Sequence, residues 1–209
     1  MAMSRSSFFR VAQVALLFAL LPLSRVLSEQ NIETVKSPSG NITATWGNPP
    51  GSLLIKRNGD TIIIQELFGC AEFSDFRWSP DETMLAVAFG PLPRRYDFYI
   101  FDLVNKKVVF NVSDGNGMDD AREILAGYFK KQVPSVFGKE RPNNYWLTAW
   151  PDGWKDNKTL KLSFTLHPLD EGHKWTSGVF YTAYANARFT DNRCRLIGQP
   201  YGIKENHDH

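Results

Sequence analysis

The feature that most constrains the fold is a turn-and-strand unit that recurs along the chain. Its clearest copy is FRWSPDETMLAV, from Phe76 to Val87, and the hairpin FYIFDLVNKKVVFNV follows it from Phe98 to Val112. Proline presets φ for a turn, while Asp, Asn and Gly supply the local hydrogen bonds or the unusual φ that reverse the chain. The unit therefore predicts a proline-led turn, an apolar strand and then a hairpin.

Two looser copies flank this unit. The turn SPSGN (37–41) precedes ITATW, and PDG (151–153) leads through a longer turn to TLKLSF. The two Ser-Pro pairs lie 42 residues apart, a spacing that suits the blades of a β-propeller. A hairpin follows each copy, so the sequence predicts three units of about four strands. Their bounds are about 31–67, 72–113 and 143–199.

The middle unit carries a family resemblance. FRWSPDETMLAVAF followed by YDFYIFDLVNKKVVF resembles the TolB-type (WD-like) β-propeller repeat, which reads approximately Trp-Ser-Pro-Asp-Gly, an apolar strand, and an apolar strand ending in Asp-Leu. The chain departs from that pattern at Glu82, where the family has glycine, and in the bulky connector from Gly90 to Arg95. The resemblance implies blade-like sheets, and closed propellers need at least four of them.

The faces of the strands suggest how three units suffice. Both faces of MLAVAF (84–89) are apolar, which predicts a middle sheet covered on both sides. In ITATW (42–46) and LKLSF (160–164) polar and apolar residues alternate, as in a sheet with one wet face. We therefore predict an all-β fold of three successive four-stranded antiparallel blade-like sheets in a partial or open β-propeller-like stack. A ring completed by a second copy, and hence a homodimer, is the alternative.

One helix is expected between the second and third units. In DGNGMDDAREILAGYFKK, Ile124, Leu125, Tyr128 and Phe129 recur at helical spacing. Acidic residues precede this stripe and Lys130 follows it, which complements the helix dipole. The sequence predicts a helical insert at about 117–131.

The N-terminus has the pattern of a secretory signal peptide. Arg5 and Arg10 precede an apolar run from Val11 to Leu23 that is too short to span a bilayer. Cleavage near Ser28/Glu29 would leave a single β domain at 29–209, with no membrane span, in the periplasm or outside the cell. Without residues 1–28 the chain keeps 21 of its 24 basic residues against 22 acidic ones. It therefore lacks the charge of a nucleic-acid binder.

The two cysteines are predicted to form a disulfide. Export would place Cys70 and Cys194 in an oxidising compartment. Their bridge would close a loop of about 125 residues and add about 4–5 kcal/mol of stability on the chain-entropy model. Two free thiols or a metal pair are the alternatives.

Candidate binding residues are aromatic or lie in the connector between the middle strands. Trp146 and Trp150 share a strand face and Trp154 follows in the turn, so they could stack against sugars or grip a peptide, or else fill the core. Arg94 and Arg95 are predicted to contact a partner because exposed loops on a rigid β scaffold commonly carry function.

The sequence offers no catalytic residue, cofactor site or metal site. There is no Gly-x-Ser-x-Gly elbow and no phosphate-binding glycine loop. The acidic turn before the helix fails the EF-hand spacing because Met118, Asp119 and Leu125 occupy key positions. We predict an exported non-catalytic module that binds a protein partner, of an inhibitor, immunity or envelope-assembly type. A glycan or small-ligand binder using exposed tryptophans is the alternative, and a hydrolase is the third option.

Three Asn-x-Ser/Thr sequons occur, at Asn41, Asn111 and Asn157. Such sequences are acceptors for N-linked glycans in secreted eukaryotic proteins. The sequence leaves open whether they are used.

Overall fold

The computed structural model describes residues 33–48, 52–66, 73–90, 97–111, 117–137, 145–169 and 178–207. Within them, twelve strands form three four-stranded antiparallel sheets, each a simple meander in chain order. The first sheet contains β1 (Glu33–Lys36), β2 (Ile42–Asn48), β3 (Ser52–Arg57) and β4 (Asp60–Glu66). The middle sheet contains β5 (Phe73–Trp78), β6 (Met84–Gly90), β7 (Asp97–Asp102) and β8 (Lys107–Asn111). The third contains β9 (Tyr145–Trp154), β10 (Leu160–Pro168), β11 (Val179–Thr190) and β12 (Arg193–His207).

Two tight hairpins show how local sequence specifies these sheets. Asn58 and Gly59 join β3 to β4 with φ values of 51° and 91°. Asp191 and Asn192 join β11 to β12 with φ values of 49° and 56°. Two-residue turns with positive φ match the right-handed twist of paired strands, and Asn, Asp and Gly adopt this conformation most readily.

The middle sheet is covered on both faces, as the sequence predicts. Leu85 and Val87 pack with the first sheet, and Ala86 and Ala88 pack with the third sheet and the helix. All four side chains are fully buried. The apolar burial on both sides is the main force that holds the three sheets together.

The outward faces of the two flanking sheets are more polar, which also agrees with the prediction. In β2 the buried residues Ile42 and Ala44 alternate with half-buried Thr43. In β10 the buried residues Leu160, Leu162, Phe164 and Leu166 alternate with partly exposed Lys161, Ser163 and Thr165. The open stack of three blade-like sheets predicted from sequence is therefore the fold observed.

The helix, α1, runs from Asp119 to Gln132, and a short 3-10 helix follows from Pro134 to Phe137. It buries Ala121, Leu125 and Phe129 in the core between the middle and third sheets. Ile124, which the sequence placed on the buried face, is 45% exposed. The contact follows a single ridge of residues four apart, which is narrower than the apolar stripe in the sequence. Among the residues described, no helix is long and apolar enough to cross a membrane.

The first and second sheets repeat the same turn in atomic detail. Ser37 and Ser79 each donate a backbone N–H to the carbonyl five residues later, at 2.8 and 2.9 Å. Each serine Oγ also accepts the N–H of that same later residue, at 3.2 and 2.9 Å. Both serines are buried. The serine of the Ser-Pro pair is therefore a structural residue that closes the turn.

The residue three positions after each of these serines adopts a left-handed backbone in both turns. Gly40 has φ of 78° and Glu82, its counterpart, has φ of 55°. Glycine adopts this region at little cost, whereas a residue with a Cβ is strained there. Glu82 therefore holds a strained backbone, and a contact of its side chain offsets the strain.

That contact joins the first two sheets. The Glu82 carboxylate accepts the Ser39 backbone N–H at 2.6 Å and the Ser39 hydroxyl at 2.6 Å. The hydrogen bond from the Ser39 side chain is the largest influence on Glu82 and lowers the pKa of its carboxyl, with a further contribution from Arg57. We call this Ser39–Glu82 contact the turn clamp.

Candidate functional site

A polar groove opens beside β8, where parts of all three sheets meet. It is formed by β4, by β7 and β8, and by the turn between β11 and β12. Its volume is about 390 Å³, which is within the range of binding sites for small ligands. We call it the three-sheet groove, and its lining residues are Gln65, Tyr99, Lys107, Val108, Val109, Asn111, Asp191 and Asn192.

Asn192 holds the third sheet against the edge of the middle sheet. Its backbone N–H donates to the Val109 carbonyl at 3.0 Å. Its side-chain Oδ1 accepts the Asn111 backbone N–H at 2.9 Å. One residue thus satisfies both a donor and an acceptor on the edge of β8, as a neighbouring strand would. Asparagine suits this position because its φ is positive and its side chain is a good acceptor.

The chain entering α1 supports the same turn from behind. The Cys194 N–H donates to the Gly117 carbonyl at 2.8 Å. A Cβ on Gly117 would lie 2.3 Å from the Asn192 carbonyl oxygen, so the residue at this point has to be glycine. Phe98, Phe110 and Phe189 pack together beneath, with ring centroids 4.8 to 6.0 Å apart. The wall of the groove is therefore rigidly placed.

The groove presents polar groups of mixed character. Lys107 and Asp191 supply exposed charges of opposite sign, and Gln65 and Asn111 supply partly buried amides. Its described lining residues include no serine, cysteine or histidine. Among the described residues, no group of three His, Cys, Asp or Glu side chains could hold a metal ion. This arrangement is suited to hydrogen bonding an amide-rich or zwitterionic segment.

Two of the predicted tryptophans join the middle and third sheets. The Trp150 indole N–H donates to Asp75 Oδ2 at 3.2 Å, and the Trp154 indole N–H donates to the Arg77 carbonyl at 2.7 Å. Asp75 also forms a salt bridge with Arg77 at 2.8 Å. Both rings are partly buried against the core. Their polar atoms are thus engaged within the protein.

The other predicted contact residues are placed only in part. Trp146 pairs with His167 in the register of β9 and β10, and its side chain lies outside the described residues. Arg94 and Arg95 also lie outside them. Their predicted role in binding stays a prediction.

The predicted disulfide is not present in the structure. Cys194 is a free thiol, 2% exposed, in the core between α1 and the sheets. Burial raises the pKa of its thiol to about 12. Cys70 lies outside the described residues. The disulfide was predicted from the compartment and from the number of cysteines. Neither shows which way the Cys194 side chain points from β12.

A second polar and aromatic surface lies on the outward face of the third sheet. Tyr184 and Tyr201 pair across β11 and β12, with ring centroids 6.2 Å apart. Lys161 Nζ lies 4.3 Å from the Tyr184 ring centroid and 2.5 Å from Asp152. The hydrogen bond to Asp152 raises the pKa of Lys161. Gly202 has φ of 67° and lies under the Tyr184 ring. We call Tyr184, Tyr201 and Lys161 the tyrosine platform.

Sequence reasoning did not find either surface. The groove residues are separated by up to 127 positions in the chain, from Gln65 to Asn192. The only earlier signal was the sequon at Asn111. Tyr184 of β11 and Tyr201 of β12 follow the ordinary alternation of strand residues, so the sequence does not single them out.

The fold defines a class: all-β proteins in which four-stranded antiparallel, blade-like sheets are stacked face to face. No protein-family model matches the chain. No curated protein matches it either. Among solved structures it is similar to "Kluyveromyces lactis Hsv2 complete loop 6CD", with 15% identity and a TM-score of 0.37. The match covers 83% of this chain and 48% of that one, so the chain spans about half the length of that protein.

Proposed function

We propose that the chain is an exported, non-catalytic binding module of the TolB-type repeat kind, and that it holds a polar, extended segment of a protein partner in the three-sheet groove. The single observation that carries this proposal is the composition of the groove. Amides and opposite charges converge on one rigid depression, and its described lining residues include no serine, cysteine or histidine. Export follows from the N-terminal signal pattern and implies a periplasmic or secreted location.

A peptide backbone is the ligand that best matches these groups. An amide side chain such as that of Gln65 both donates and accepts, so it matches the alternating N–H and C=O groups of a peptide. Lys107 and Asp191 add charge complementarity, which contributes to specificity and to the rate of association. The wall held by Asn192 costs no ordering entropy on binding because it is already in place.

A charge reversal in the groove tests this proposal. The wild-type protein is used to capture its partner from the native compartment, and the affinity is then measured for Lys107→Glu and for Lys106→Glu. Lys106 is exposed in the preceding turn and is not part of the groove lining. We expect Lys107→Glu to weaken binding about tenfold, or about 1.4 kcal/mol, and Lys106→Glu to have little effect.

Two results would contradict the proposal. One is that affinity capture yields no stoichiometric partner. The other is that both variants bind as tightly as the wild type while melting at the wild-type temperature, since the partner would then contact another surface. Light scattering of the free protein also tests whether a second copy is the partner.

The tyrosine platform favours a second candidate function, the binding of glycans. Tyr201 is 41% exposed, and aromatic rings beside a polar network are suited to stacking on sugars. Titration with oligosaccharides or peptidoglycan fragments tests it, with Tyr201→Ala as the probe and Ile197→Ala, 42% exposed on the same strand, as the control. A flat titration of the wild type removes this candidate.

A further inference from the structure

The three sequons occupy different environments in the fold. Asn41 lies in the turn between β1 and β2, and Asn157 lies in the loop between β9 and β10. Both side chains are exposed, and within the described residues neither side-chain amide forms a hydrogen bond. In each case the surrounding backbone is held by other groups. Asp156 accepts the N–H groups of Lys158 and Thr159 at 2.8 Å and so leaves Asn157 at the tip of the loop.

Asn111 differs from both. It is half-buried at the end of β8 and lines the three-sheet groove. Its backbone N–H is bonded to Asn192. A bulky, hydrated glycan fits on an exposed loop tip. A glycan on Asn111 would have to extend out of the three-sheet groove, which the third sheet already bounds.

The two exposed sequons lie at the same end of the stack. The turn clamp holds the β1–β2 turn beside the β5–β6 turn through Ser39 and Glu82. Trp154, just before the β9–β10 loop, donates to the Arg77 carbonyl, just before the β5–β6 turn. The three equivalent loops are therefore neighbours. In a four-stranded meander the fourth strand ends at the opposite end, which is where Asn111 lies.

We propose that Asn41 and Asn157 are acceptor sites for N-linked glycans and that Asn111 is not. The donor is an oligosaccharide linked to a lipid diphosphate. The side-chain amide nitrogen forms a bond to the anomeric carbon of the first sugar and loses one proton, while the bond from that carbon to the diphosphate oxygen breaks. The lipid diphosphate leaves with the electron pair of that bond.

Glycans at Asn41 and Asn157 would cover the end that carries the turn clamp and keep partners away from it. The three-sheet groove would carry no glycan of its own, because Asn111, which lines it, is not an acceptor. The inference rests on the export that the proposed function includes, and the experiment separates the two.

The test expresses the full chain in a eukaryotic secretory cell in two forms, one with its own residues 1–28 and one with a proven secretory leader in their place. Peptide-N-glycosidase in heavy-oxygen water converts each glycan-bearing asparagine to labelled aspartate, which peptide mass spectrometry locates. We expect label at residues 41 and 157. Asn41→Gln and Asn157→Gln should each remove one glycan from the intact mass, and Asn111→Gln should remove none.

The outcomes are distinct. Both sites are labelled in the form with the substituted leader, and the form with the native residues 1–28 is not exported: this result supports the acceptor sites and contradicts the export prediction. Absence of label at residue 41 or 157 in the leader form overturns the proposal. Full label at residue 111 also overturns it, because the environment of Asn111 would then accommodate a glycan.

Discussion

Replacing Glu82 by glutamine should weaken the joint between the first two sheets without changing the backbone. The carboxylate accepts two hydrogen bonds of 2.6 Å from Ser39. Hydrogen bonds to a charged group contribute about 1.5–3 kcal/mol where they are buried, and exposed ion pairs contribute about 0–1 kcal/mol. Because Glu82 is half-exposed, we expect a loss of about 1 kcal/mol. In a domain of this size that loss lowers the melting temperature by about 2–4 °C.

Glu82→Gly is the informative companion variant. It removes both hydrogen bonds but relieves the strain of a left-handed non-glycine residue, which is worth about 1–2 kcal/mol. Glycine also raises the entropy of the unfolded chain, at a cost of about 0.5–1 kcal/mol. These opposing effects predict that the glycine variant is close to the glutamine variant in stability. Urea unfolding of both, and of Ser39→Ala and the double variants, isolates the coupling across the clamp.

The effect should depend on pH in a defined direction. The Ser39 side chain lowers the pKa of Glu82 from its usual 4.5. A group with a lowered pKa in the folded state contributes stability above its unfolded pKa and loses it as the pH falls through the folded value. The difference between wild type and Glu82→Gln should be largest near neutral pH and shrink below about pH 4. If Glu82→Gln matches the wild type at neutral pH, or if Glu82→Gly is more stable than the wild type by more than about 1 kcal/mol, the clamp does not offset the strain and the reasoning fails.

Three further variants test the packing. Gly117→Ala should destabilise by more than about 2 kcal/mol in urea unfolding, because its Cβ would lie 2.3 Å from the Asn192 carbonyl oxygen; wild-type stability would show that the turn can move. Leu125→Ala should cost about 2–5 kcal/mol and Ile124→Ala less than about 1, because Leu125 is fully buried and Ile124 is 45% exposed; equal losses would contradict the assigned face of α1. Cys194 should resist alkylation at pH 8 until the protein unfolds, because burial raises its thiol pKa to about 12; rapid labelling of the native protein would place it at the surface.

The fold could be predicted because its determinants are local. The Ser-Pro turns, the Asn-Gly hairpin at Asn58 and the alternation in β2 and β10 each act over a few residues. A strand that is apolar on both faces, such as β6, requires cover on both sides. The sequence also shows that Glu82 stands where the first turn has Gly40, a position at which the backbone is left-handed.

The candidate site could not be predicted in the same way. Asn192 meets Val109 and Asn111 across about 80 positions of the chain, and no periodic pattern records such a contact. Trp150 and Trp154 read as a possible stacking surface because a strand pattern does not show that Asp75 and the Arg77 carbonyl lie within reach. The disulfide prediction failed for the same reason, since it assumed a neighbour for Cys194 that only the packing could supply.

The sequence by itself therefore determined the units, their turns, the polarity of each sheet face and the presence of one helix, because backbone conformation and burial pattern are set by neighbouring residues. The tertiary structure alone decided that the turn between β11 and β12 meets the edge of β8. It also decided that Cys194 is buried as a free thiol, and that the three-sheet groove collects Gln65, Lys107 and Asn192. Those outcomes depend on which faces and edges come together, and the free energy of that choice is distributed over contacts between residues far apart in the chain.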